Sequence, residues 1–137
     1  MKDTQPCPDT AKLILRLVLG LLILAHGVSK IFAGPGYIMQ TVTGAGLPAG
    51  LSYLVYIGEV IAPLLLIFGV WTRVAAGIIA INMIVAVLLV HTKQLFTMNN
   101  VGGWALELQA MFLFTAIAIA LLGAGRFSVG GANGKWN

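Results

Sequence analysis

Three side chains that carry or can carry charge, Arg16, His26 and Lys30, sit inside one apolar run, LILRLVLGLLILAHGVSKIFA, residues 13–33. Glu59 and Glu107 are embedded in two later runs, and Asn82 and His91 in another. Cations, an imidazole and two carboxylates can hold a polar headgroup, relay protons, or pair off as structural ions. Arg16, Lys30, Glu59 and Glu107 sum to zero formal charge. That balance suits an apolar medium, where an unpaired charge costs ~3 kcal/mol on insertion scales. Each group also has a plainer reading. Arg16 can snorkel to the headgroups, Asn82 can join two helices, and His91 can sit at the interface. His26, Lys30, Glu59 and Glu107 can form a network that only fixes helix register.

The elements that must position these residues follow from composition. The 137 residues are 59% hydrophobic and 9% charged, with a mean hydropathy of +0.98. A soluble domain carries about 25% charged residues. Four apolar runs, about 13–33, 51–70, 73–91 and 103–122, are each long enough to cross a bilayer. The expected fold is an all-α integral membrane protein, a four-transmembrane-helix bundle over residues 13–129. A flexible arm (1–12) precedes it and a flexible tail (130–137) follows. Lys2, Lys12, Arg73, Arg126 and Lys135 fall on one side and Lys93 on the other, which puts both termini in the cytoplasm. Trp71, Trp104, Tyr53 and Tyr56 lie near segment ends, as an aromatic belt requires. The first run exceeds the length of a signal-peptide core and is expected to be retained. The net charge of +4 comes from scattered residues, which argues against nucleic acid as a partner. Cys7 is the only cysteine, so no internal disulfide or CxxC pair exists, and its thiol reads as an incidental exposed one.

Depth and angle bring the polar groups together. Lys30 and His26 lie about 6 and 12 Å below the Gly34 end of the first helix, and Glu59 and Glu107 about 12 and 7 Å below the starts of theirs. His26 and Lys30 are about 40° apart on the helix wheel, with Arg16 on the same stripe. This stripe should face the bundle interior. Pro63 has no N–H to give the Glu59 carbonyl, so a kink is expected there. Thr72 reads as an N-cap, and the Gly-Pro-flanked Tyr37-Ile38-Met39 as an interfacial turn or helix. A faint internal repeat pairs Arg16, His26 and Glu59 with Arg73, His91 and Glu107. No metal site is expected: the sequence has no HExxH and no Cys cluster. The two histidines, His26 and His91, read as lying at different depths.

Arg16-Leu17-Val18-Leu19-Gly20, His26-Gly27 with Lys30, Gly46-Leu47-Pro48, Gly58-Glu59, Leu66-Ile67-Phe68-Gly69 with Arg73, Gly102-Gly103, Glu107 and Gly123-Ala124-Gly125-Arg126-Phe127-Ser128 together resemble the DoxX family. These are small four-helix bacterial and archaeal inner-membrane proteins. Ala124 and Gly130 stand where the family's usual ending has Pro and Asp. The resemblance implies residence in a bacterial or archaeal inner (plasma) membrane and a link to a quinone-using redox complex. His26, Lys30, Glu59 and Glu107 are then the candidates for headgroup binding and proton relay, with Arg16, Asn82 and His91 secondary. No intrinsic cofactor is expected, quinone is the candidate ligand, and the partners are the lipid bilayer, a redox-enzyme subunit and a second copy of the chain. The alternatives are a small proton-coupled transporter and a purely structural membrane subunit.

Overall fold

The computed structural model describes residues 6–137, with side chains from Pro8 onward. Lys2 and the Cys7 thiol lie outside the described residues. Five helices form: α1 (Pro6–Ala33), a short α2 (Gly36–Gly44), α3 (Ala49–Phe68), α4 (Thr72–Val90) and α5 (Glu107–Leu122). No strand occurs among the described residues, only an isolated bridge between Met98 and Trp104. α1, α3 and α4 are long and apolar enough to cross a membrane, and α5 is a shorter apolar helix of 16 residues. Leu21, Phe32, Ile81, Leu88, Met111 and Leu121 are all exposed on the outside of the bundle. A soluble monomer does not present an apolar coat of that extent, whereas a lipid-facing one must. The chain is a helical membrane protein.

α1 packs on α3 and α5, and α4 closes the ring by packing on the same two helices. The core is Leu19 and Ile23 of α1, Ala62 and Leu66 of α3, Ala75, Ala76, Ile79 and Met83 of α4, and Phe112, Ala116 and Ile119 of α5. Small residues at these contacts let helix backbones approach closely, which is how helices associate when lipid is as apolar as the interface. The closest approach is at Gly27, where a Cβ would overlap the Glu59 carbonyl.

Several expected boundaries are corrected. α1 begins at Pro6, so residues 6–12 are helical and not a loose arm. α5 begins at Glu107, not near 103, because Asn99 closes the preceding loop. Its Oδ1 accepts from Gly103 N at 2.8 Å and Val101 N at 3.1 Å. Around the Glu59 carbonyl, where Pro63 was expected to break the helical pattern, Ile57–Ile61 is a π-helical turn, with Gly58 and Glu59 both buried. An extra residue in the turn rotates what precedes it, and here it aims Glu59 inward. Gly36–Gly44 is indeed a helix, with Ile38 and Val42 buried.

The end where α3 turns into α4 differs most from expectation. Residues 130–137, read as a flexible tail, fold back across the turn. Val129 N and Gly130 N donate to the carbonyls of Phe68 and Gly69 at 2.9 and 3.1 Å. Asn137 is buried, and its Oδ1 accepts from Thr72 N (3.0 Å) and Thr72 Oγ1 (3.1 Å). Thr72 is therefore not the cap of α4. It is the first helical residue, and the capping oxygen comes from Asn137.

Candidate functional site

Glu59 is the centre of the polar cluster at the other end. Its residue is 3% exposed, and Oε1 receives the Lys30 ammonium at 2.5 Å and Asn82 Nδ2 at 3.3 Å. Three helices thus meet at one carboxylate oxygen. Its twin, Oε2, is buried without a hydrogen-bond partner. A buried acceptor left unpaired costs about 1–3 kcal/mol, more when charged.

A cavity of about 110 Å³ opens beside this carboxylate, lined by His26, Lys30, Glu59, His91, Gln109 and Phe112 among others. His26 Nδ1 donates to the Leu22 carbonyl at 2.8 Å, which leaves Nε2 as the ring's acceptor. The imidazole stands edge-on to Phe112, with ring centroids 5.8 Å apart. His91 is held at both nitrogens: Nδ1 donates to Gln94 Oε1 (2.8 Å) and Nε2 accepts from Gln109 Nε2 (3.4 Å). That last bond orients the Gln109 amide so that its Oε1 is buried and unpartnered. Glu59 Oε2 and Gln109 Oε1, buried on two residues that line this cavity, and Nε2 of the exposed His26 are all acceptors.

The sequence-derived set is only partly brought together. Glu59 contacts Lys30 and Asn82, and His26 and His91 line one cavity with Lys30 and Glu59. The two histidines, read as lying at different depths, line the same cavity. Glu107 is the clear departure: it is exposed and its carboxylate accepts from Asn99 Nδ2 at 3.4 Å, away from Lys30. Arg16 does not snorkel and meets no carboxylate among the described residues. It is 1% exposed, and its guanidinium donates to the carbonyls of Leu66 (3.0 Å), Ala124 (2.6 Å), Phe127 (3.0 Å) and Ile67 (3.1 Å). Leu66 and Ile67 belong to the last turn of α3, whose carbonyls lack helical partners and form the negative end of the helix dipole. No group of three His, Cys, Asp or Glu side chains that could hold a metal occurs among the described residues.

The family model DoxX matches residues 11–92. The chain belongs to the DoxX family. A Bacillus subtilis (strain 168) protein named "Putative oxidoreductase CatD" is 32% identical over 116 residues, covering 85% of this chain and 81% of that protein. An uncharacterized Haemophilus influenzae protein is 30% identical over 106 residues, covering 73% of this chain and 76% of the other. No solved structure gives a significant match. On this DoxX chain the residues that carried the resemblance divide by position. Gly27, Lys30 and Glu59 build the cluster, while Arg16, Gly69 and Arg73 build the opposite end. Gly130, in the place of the family's Asp, leaves room for Asn137, since a Cβ there would collide with the Asn137 amide.

Gln109 was missed by charge-led reading, although a signal was present. Leu106, Phe112, Ala116 and Ile119 form the buried stripe of α5, and Gln109 falls on it at helical spacing. Glu107, two residues earlier and about 200° around the helix, must then point away.

Proposed function

We propose that this chain is a subunit of a redox-linked membrane complex that binds the reduced, hydroxyl-bearing form of a quinone beside Glu59. The observation that carries the reading is the pair of buried, unpartnered oxygens, Glu59 Oε2 and Gln109 Oε1, on two residues that line one cavity with His26. Acceptors need donors, and a quinol brings two. The expected arrangement, in which Lys30 and His26 would donate to a quinone carbonyl, is replaced because Lys30 is already committed to Glu59 and His26 Nδ1 to Leu22. In this reading Glu59 and His26 are two bases for two hydroxyl protons. Two electrons leave to a redox enzyme alongside, so quinol becomes quinone with charge balanced. The printed name of the Bacillus relative, an oxidoreductase, supports the redox link.

We read α5 as a fourth crossing and both termini as cytoplasmic in a bacterial inner membrane. Lys12, Arg73, Arg126 and Lys135 gather at one end: Arg126 pairs with Asp9, and Arg73 binds the carbonyls of Ala120, Leu121 and Asn137. The test of the function is binding of a tail-less hydroquinone to protein in nanodiscs. Wild type should bind it, and Glu59→Gln combined with Lys30→Met should not; equal affinity in both overturns the reading. A proton-coupled carrier is the second reading, favoured by Lys30 and Glu59 lining cavities on two sides. Proton flux in liposomes that hold no redox partner would select it.

A further inference from the structure

The loop joining α4 to α5 folds as a small hairpin, closed by the Met98–Trp104 bridge, with its apolar side chains turned outward. Phe96 is 98% exposed, Val101 89% and Met98 67%. The N–H groups of Thr97, Asn99, Val101, Gly102, Gly103 and Ala105 all find acceptors within the loop. Trp104 Nε1 donates to the Leu95 carbonyl at 2.9 Å. Lipid imposes that requirement, because it offers an open N–H nothing to bond.

The hairpin also leans to one side. Leu95 and Trp104 line a groove of about 240 Å³ together with Ile84, Leu88, Leu113 and Phe114 of the two helices. Ile84 and Phe114 lie roughly 10 Å inside the ends of α4 and α5, and both are exposed on the flank of the bundle. Length points the same way. α5 has 16 residues, which makes it roughly 24 Å long against a hydrocarbon core of roughly 30 Å. Its C-terminal end runs into the carbonyl contacts of Arg16 and Arg73. The missing apolar length must come from the hairpin side.

We propose that residues 95–104 form an interfacial wedge: Phe96, Met98 and Val101 insert into the leaflet beside α4 and α5, and the partner of this surface is the lipid bilayer, not another protein. The surface is continuous with the lipid-facing coat of both helices. The exposed Lys93 flanks it as an anchor to headgroup phosphates, its stem lying along the apolar side. The wedge pins the loop between His91 and Glu107, and His91 and Gln109 at its two ends line the Glu59 cavity. Insertion is independent of what that cavity binds, and it shares with the reading above only α5 as a crossing.

The test places a nitrobenzoxadiazole probe on single cysteines in full-length Cys7→Ser protein in phosphatidylcholine–phosphatidylglycerol nanodiscs. The sites are Phe96→Cys, Val101→Cys and, as a water-exposed control, Ala132→Cys. Probes at 96 and 101 should lose about half their emission or more to lipid carrying a nitroxide near the top of its acyl chain. They should be at least about fivefold less sensitive to aqueous iodide than the probe at 132, as groups about 5–10 Å into the interface would be. Trp104 gives a label-free check, so that a probe that disturbs the fold does not decide the matter. With Trp71→Phe and Trp136→Phe it is the one tryptophan left, and brominated lipid should quench it. Iodide quenching without nitroxide quenching at 96 and 101 would place the hairpin in water and overturn the wedge. Protection from both quenchers would mean that protein covers it, a second copy of the chain, and overturns it equally. Sidedness is read with a membrane-impermeant maleimide on intact cells, where Asn100→Cys should react and Val129→Cys only after permeabilisation. The same result at both positions would remove α5 as a crossing and the wedge with it. None of these failures touches binding at Glu59, which the hydroquinone measurement decides separately.

Discussion

The two ends of the bundle each hold a cation, buried at Arg16 and half-buried at Lys30, and they settle it differently. At the end where the tail folds back, Arg16 has four carbonyl partners and Arg73 three, all backbone. Each arginine grips the C-terminal turn of the helix returning to it, α3 for Arg16 and α5 for Arg73. The faint repeat in the sequence has this as its physical content. A planar guanidinium suits the task because its donors fan out in fixed directions toward the carbonyls that helix ends leave free. At the other end Lys30 meets one carboxylate oxygen, and the second oxygen is left without a donor. The first end is complete within the chain. The second leaves Glu59 Oε2 and Gln109 Oε1 without partners, and the proposed site rests on that contrast.

The contrast is open to mutation, and the largest effect belongs to the completed end. Arg16→Met takes the guanidinium from four carbonyls, of which Leu66 keeps Gly69 N, and should cost about 3–5 kcal/mol, read as thermal unfolding in detergent. A loss below about 1 kcal/mol would mean that the carbonyl cage is not what holds this end. Gly69→Ala comes next. Gly69 has φ +71° and its Cβ would press on the Arg16 guanidinium and Ser128, for a loss of about 2 kcal/mol in the same measurement. Asn137→Ala removes the oxygen that caps α4 and should cost about 1 kcal/mol, with faster amide exchange at Thr72 and Arg73 by hydrogen–deuterium mass spectrometry. Smallest in stability is Glu59→Gln, within about 1 kcal/mol, because an amide keeps an acceptor for Lys30 while easing the burial of the orphan oxygen. The same variant should abolish hydroquinone binding. A Glu59→Gln loss as large as that of Arg16→Met would erase the distinction between the two ends.

The inward stripe of α1 was legible in part: Arg16 is buried and Lys30 meets Glu59 as helical spacing predicts, while His26, placed on the same stripe, is exposed at the mouth of the cavity. Glu107 was misplaced because charge was weighed above phase. Its depth suits a meeting with Lys30, but its angle, set by Leu106 and Phe112, does not. The fate of Arg16 was hidden for a different reason. Carbonyls carry no sequence signature, so a cation satisfied by backbone looks unpaired on paper.

Length, apolar content and helical period determined by themselves that this is a helical membrane protein with Lys30 facing inward, and the order of its motifs carried the DoxX resemblance. These properties are local, or sums of local ones, and hold wherever the neighbours lie. The tertiary structure alone decided that Asn137 caps a helix 65 residues away, that Gln109 and not Glu107 shares the cavity, and that one oxygen of Glu59 lacks a partner. Each depends on which helix stands beside which, and at what rotation. Pairwise side-chain chemistry cannot be read until packing has fixed those two quantities.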